Sequence, residues 1–246
     1  MQSIEIGSKN VFDNGRLTAN FALFYNELEG YQLTQNVASA DGTNTTSAVA
    51  NAGDAEIMGV EAEFYWRPEA IDGLGLRFNY AWTDTEFTKG RDQNQGVLND
   101  VADNGLVDCS TGNEFPDSGS CTSIYGSIKG HEIPRTAENQ AYLDAEYRRP
   151  FGNDWEWHVG MGYSYESSKY SQVHNLIESG STELLSMRAG VANDRYSVML
   201  WGRNLTGEDS PSLVLRYADG ADSFKRNFVG MSRRDTYFGA TFTAKF

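Results

Sequence analysis

Three histidines, two cysteines and a scatter of carboxylates are the groups in this chain that could hold a metal or move a proton. His131, His158 and His174 are too widely spaced to form a ligand set, so a structural or solvated role is expected for each. Cys109 and Cys121 are separated by eleven residues in a stretch rich in Gly, Ser, Asn and Asp. That gap is too wide for half of a zinc site, and no second pair exists. A loop disulfide formed in an oxidising compartment is the favoured reading, with two free thiols as the alternative. Asp92, Asp100, Asp103, Asp108 and Asp117 lack the regular spacing of a calcium loop and are expected to hydrate one long connection. Glu61 and Glu63, two residues apart on a strand, point the same way. Paired carboxylates can cleave glycosides, but this spacing also describes a wall facing water. No nucleophile, base and orienter come together in the sequence, and no glycine loop cradles a phosphate. No catalytic residue, metal or cofactor is therefore expected.

A net charge of -14 argues against a nucleic-acid partner, because a phosphate backbone is met by Lys and Arg. Nowhere do about 18 apolar residues follow one another, as a membrane-spanning helix requires. Strands remain possible spans, since a transmembrane strand is apolar on one face only. Aromatic residues reach 13%, Gly is frequent at 25 and Pro rare at 5, which fits a sheet with many turns.

The elements that would position these groups follow a period of two. Trp155, Trp157, Val159, Met161, Tyr163 and Tyr165 alternate with Glu156, His158, Gly160, Gly162, Ser164 and Glu166. Such a strand has one apolar and one polar face. The same alternation runs through Leu17 to Tyr25, Val60 to Trp66, Leu74 to Trp82, Ala141 to Tyr147, Leu185 to Val191 and Phe238 to Phe246. Ile4 and Ile6 begin a shorter strand, and Tyr196 to Leu205 forms one with a blurred pattern. The expected fold is all-β, an antiparallel up-and-down meander of about nine strands.

Connections alternate in length. Short turns fall at Asp13-Asn14-Gly15, Pro68 to Gly73, Pro150 to Asp154 and Asn193-Asp194; long connections span roughly 28–54, 88–135, 171–181 and 207–233. One tidy rim and one elaborate rim are the habit of transmembrane barrels. Trp66, Trp82, Tyr147, Trp155 and Trp157 are expected at strand ends on the apolar face, as in an interfacial girdle. A soluble β-sandwich binding module, with the apolar face buried in a core, is the competing reading. Aromatic and arginine residues of the outer loops are the expected cargo contacts: Tyr31, Tyr125, Tyr170, Arg216, Tyr217 and Arg226.

Several segments resemble the TonB-dependent outer-membrane receptors. Arg233-Arg234-Asp235-Thr236-Tyr237-Phe238-Gly239, running to a terminal Phe246, resembles their final strand. Arg203-Asn204-Leu205-Thr206-Gly207 is similar to their "NL" element. Asn51-Ala52-Gly53-Asp54-Ala55 with Gly59-Val60-Glu61-Ala62-Glu63 resembles their "NAG…GVE" strand. His131 to Thr136, with Ile133-Pro134, is similar to the approach to their next strand.

The resemblance implies the last nine strands of a barrel of about 22, in the bacterial outer membrane. Tyr237, Phe238, Phe242 and Phe246 would carry the signal read by the barrel-assembly machinery. Implied partners are outer-membrane lipid, that machinery, the TonB energy-transducing system through a missing N-terminal part, and a small-molecule or metal-chelate cargo such as a ferric siderophore. The expected domain is a barrel portion over residues 1–246, with no plug, TonB box or signal peptide in this sequence. MQSIEIGSKN has neither the basic nor the apolar region of a leader. A plug-less porin or adhesin barrel stays open at this point. Alone, the nine strands are expected not to form a functional receptor, because two unpaired edges are costly in lipid.

Overall fold

A computed structural model describes residues 1–38, 45–92, 127–219 and 225–245. Its strands are β1 (Gln2–Phe12), β2 (Leu17–Ala38), β3 (Thr45–Trp66), β4 (Leu74–Gly90), β5 (Asn139–Phe151) and β6 (Trp155–Glu166). They continue as β7 (Thr182–Ala192), β8 (Tyr196–Arg203), β9 (Leu213–Asp219), β10 (Lys225–Met231) and β11 (Tyr237–Ala244). Nine form one antiparallel sheet in the order β1-β2-β3-β4-β5-β6-β7-β8-β11, while β9 and β10 form a separate two-stranded sheet. The meander is the one the alternation predicts.

Register carries the two-faced pattern across the sheet. Ile6 lies opposite Leu23, Leu23 opposite Val60, Val60 opposite Trp82. Further along, Leu143 faces Tyr163 and Tyr163 faces Leu185, then Val198 faces Phe242. A slip of one residue would turn a whole row to the other side, so this continuity fixes the pairing.

Among the described residues no second layer covers the apolar face. Ile6 is 71% exposed, Leu23 55%, Leu200 61% and Phe242 67%, and Phe21 and Phe78 are also exposed. A sandwich would bury these side chains against another sheet. The apolar cluster that is buried (Ala55, Phe87, Ile128, Ile133 and Val173) sits elsewhere, among the long connections. An apolar surface this continuous and bare is the lipid-facing side of a barrel wall.

Short turns gather at one rim. The first is a 3-10 turn, Asp13–Gly15, in which Asp13 and Asn14 both take φ 51 and Gly15 φ 87. Asp, Asn and Gly are the residues that enter this left-handed region at least cost. Near the same rim, Tyr147 meets Trp157 edge-on at 5.3 Å, Phe151 lies 6.4 Å from Trp155, and Tyr196 stacks on Phe242 at 6.3 Å. Tyr147, Trp155 and Trp157 of the expected girdle lie here, joined by Phe151, Tyr196 and Phe242.

Three expectations need correction. The connection placed at 28–54 is mostly paired strand, since Leu28–Ala38 of β2 lies against Thr45–Ala55 of β3. The connection at 207–233 contains the β9–β10 hairpin. Trp82 lies mid-strand in β4, although it is the last β4 residue paired with β5. β2, β3 and β4 outrun the part of the sheet shared with their further neighbours, and β9 with β10 forms a separate hairpin. Strict alternation is demanded only where lipid lies on one side and water on the other.

Candidate functional site

The polar face of the sheet is a wall of linked charges. Arg188 of β7 reaches Asp144 at 3.3 Å and Glu146 at 3.8 Å, both on β5. Arg148 joins the same chain, 2.7 Å from Glu146 and 3.5 Å from Glu156. Glycine makes the room: a Cβ on Gly160 would stand 2.6 Å from the Arg188 guanidinium carbon. His158 lies over Gly190, again where a side chain would collide. Glu63 accepts a hydrogen bond from Asn20 at 3.3 Å. With Glu61, Asn79, Gln140 and Glu166 it lines an open hollow, so both carboxylates belong to this wall.

At the rim of long connections the loops are stitched together. Beyond Trp82, β4 has no β5 partner, and the segment before β5 supplies the missing groups. Phe87 N–H donates to the His131 carbonyl (2.8 Å), Gly130 N–H to the Phe87 carbonyl (2.9 Å), and Ile133 N–H to Thr85 Oγ1 (3.0 Å). Backbone groups held from water need such partners. Residues 170–175 fasten on next. His131 Nδ1 donates to the Val173 carbonyl at 2.6 Å, and Glu132 N–H to Asn175 Oδ1 at 2.7 Å. His174 Nε2 donates to Asp92 Oδ1 at 2.7 Å, with both side chains only 6% exposed. Beneath lies the Phe87 cluster. Two of the three histidines thus act in loop architecture. Among the described residues no group of three His, Cys, Asp or Glu is placed to hold a metal.

Electrostatics in these loops pull in opposite directions. Burial, then repulsion from Glu138, Glu178 and Asp84, raises the Glu132 carboxyl above its ordinary 4.5. Burial also raises the Tyr170 phenol, helped by Glu178 and Glu132. Glu208 is lowered, first by the backbone N–H of Glu183 and then by Ser210.

The predicted contact residues scatter. Tyr31 meets Phe87 edge-on at 5.2 Å and flanks the apolar cluster. Tyr170 is in the second stitched loop, bridged to Glu178. Arg216 and Tyr217 lie on β9 opposite Phe228 and Asn227, and Arg226 lies on β10 opposite Ala218. Tyr125, Cys109, Cys121 and Phe246 lie outside the described residues. On β11, Phe238 is 74% exposed in the same row as Phe242, whereas Tyr237 turns to the polar face.

Sequence reasoning passed over the group around Tyr237. Its ring meets Trp201 edge-on at 5.7 Å. Arg234 lies over Tyr237 at 4.8 Å and Arg203 over Trp201 at 5.4 Å. Arg233 donates from Nε to the Ser210 carbonyl and from Nη2 to Thr182 Oγ1, each at 3.1 Å. Asn204, at φ 52, ties the loop foot. Its Nδ2 donates to the carbonyls of Glu208 (2.8 Å) and Arg234 (3.0 Å), and its Oδ1 accepts from Glu208 N–H (2.8 Å). The available signal was an arginine pair shortly before the last strand and a third arginine at the end of the strand before it in the sheet.

A one-layer antiparallel meander, bare and apolar outside, charged inside, with one short-turn rim and one built-up rim, defines the wall of a transmembrane β-barrel. The family model described as "TonB dependent receptor-like, beta-barrel" matches residues 1–205, and the chain belongs to that family of bacterial outer-membrane proteins. Solved structures agree on the fold. The ferric yersiniabactin uptake receptor FyuA from Yersinia pestis superposes with a TM-score of 0.67 at 16% identity, over 99% of this chain and 30% of that one. The copper transporter OprC gives 0.59 at 11% identity, over 99% and 31%. The unliganded ferric citrate transporter FecA gives 0.54 at 15%, over 98% and 31%. The chain thus spans about a third of the length of these structures. No curated protein matches it in sequence.

Proposed function

We propose that this chain supplies the last nine strands of a TonB-dependent receptor that imports a scarce nutrient, with a ferric siderophore as the leading cargo class. The observation that carries the reading is the pairing of a charged inner wall with a rim whose loops are locked together. A diffusion pore needs a wet wall but no such rim; a receptor needs a rigid outer surface that holds its cargo above the wall. The family match supports the reading. So do the printed functions of the similar structures, which concern ferric yersiniabactin, copper and ferric citrate. In this proposal a plug and a TonB box on the rest of the protein close the lumen and couple uptake to the inner membrane. The assembly machinery and lipid meet the outward row that includes Phe238 and Phe242. Tyr31 and Tyr170 then shape the vestibule more through packing and hydrogen bonding than as free arms. Energised uptake of ferric chelates by cells that carry the protein, with and without a working TonB system, tests the proposal. Uptake that needs both the protein and TonB supports it. Passive solute flux through the protein that ignores TonB would overturn it in favour of a porin.

A further inference from the structure

Two arginines of the inner wall are matched with acids, Arg188 with Asp144 and Arg148 with Glu146 and Glu156, while Arg67 and Arg77 lie over the Tyr65 ring. Arg203, Arg233 and Arg234 instead gather at one place. They line one hollow with Tyr142, Ser186 and Tyr237, and among the described residues none makes an ion pair. Asp235 follows them in the chain without pairing to them. Glu208 feels Arg233, but its carboxylate is taken by the backbone N–H groups of Glu183 and Ser210. Among the described residues, three guanidinium groups have therefore gathered with no ion pair of their own, in a protein of net charge -14.

They are also held in place. Arg203 and Arg234 rest on Trp201 and Tyr237, and those two rings brace each other. Stacking orients a guanidinium while leaving its edge N–H donors available. Arg233 is tethered through Nε and Nη2. Like charges fixed side by side repel, and a ligand of opposite sign relieves that cost. Planar N–H forks match carboxylate and phosphate oxygens in pairs. Tyr237 lies opposite Arg203 in the register, on the face that carries Arg188, which excludes lipid headgroups as the source of the anion.

We infer that Arg203, Arg233 and Arg234 form a binding site for a small polyanion, a polycarboxylate or phosphate-bearing molecule, on the inner face beneath the β9–β10 hairpin. The inference rests on the receptor reading for the identity of the anion as cargo, but the site stands on its own geometry.

Equilibrium dialysis on outer membranes containing the protein tests it, using metal-free tricarballylate and inorganic pyrophosphate as probes. At least one probe binds saturably, more weakly as salt rises. The double substitution Arg203→Gln with Arg234→Gln weakens that binding by about tenfold or more. Arg234→Lys recovers only part of it, since Lys lacks the fork. Arg195→Gln, at the opposite rim, leaves it unchanged. Absence of saturable binding by both probes, or equal binding by the double variant, overturns the inference. So does a double variant that fails to assemble in the membrane while the wild type binds neither probe, because the arginines then serve carboxylates of the protein itself. Probe binding without TonB-linked uptake counts against the receptor reading alone. Uptake of an uncharged cargo without probe binding counts against this site alone.

Discussion

At the scale of single residues, glycine decides where the inner wall can carry its charges. A Cβ on Gly160 meets the far end of Arg188, which can swing aside. One on Gly59 meets the Trp82 carbonyl and the Phe24 ring, both at 2.5 Å, and backbone has nowhere to go. Gly59→Ala is therefore expected to destabilise the protein by about 1–3 kcal/mol, and Gly160→Ala by clearly less. The thermal midpoint of heat-modifiable migration, measured on the membrane-embedded protein, checks the order. Equal midpoints for the two variants would remove the argument. The sequence shows both glycines on a polar row but cannot rank them. The atoms that set the ranking belong to other strands.

At the scale of elements, the two loop systems should answer acid in opposite ways. Glu132 has a raised folded pKa, so its charge disfavours the folded loop above that value. Acidification through the raised pKa removes the penalty, and residues 127–138 tighten. Glu208 has a lowered folded pKa. Its stabilisation is present above the ordinary value of 4.5 and disappears as pH falls through the folded one, so the loop after Asn204 loosens. Hydrogen exchange of the two segments, at a series of pH values below neutral and corrected for intrinsic rates, reads both. Glu132→Gln should abolish the first trend and Glu208→Gln the second. The strands were legible because lipid on one side and water on the other impose alternation, as from Trp155 to Tyr165. The loop core was not. Phe87, Ile128 and Val173 lie far apart in sequence, and Asp92 meets His174 across 82 positions. The outer halves of β2 and β3 escaped notice for a further reason. Gly30 at φ 69 and the register shift between Leu28 and Tyr31 break the period where pairing continues.

At the scale of the molecule, the two faces of one strand should tolerate charge unequally. Leu200 faces lipid and Met199 faces the lumen, one residue apart on β8. Leu200→Arg is expected to cost up to about 2–4 kcal/mol, depending on its depth in the bilayer, and Met199→Arg much less. Recovery of folded protein in the outer-membrane fraction compares them. Equal recovery would contradict the assignment of faces.

β1 and β11 border the sheet with every neighbour between them antiparallel, so both run toward the same side of the membrane. Joining these two margins directly, or setting two like-oriented copies edge to edge, would force a parallel seam. A wall that closes this arc with antiparallel seams alone must contribute an odd number of strands, giving the even total usual for bacterial barrels. Parity, more than size, is what a complementing segment has to satisfy.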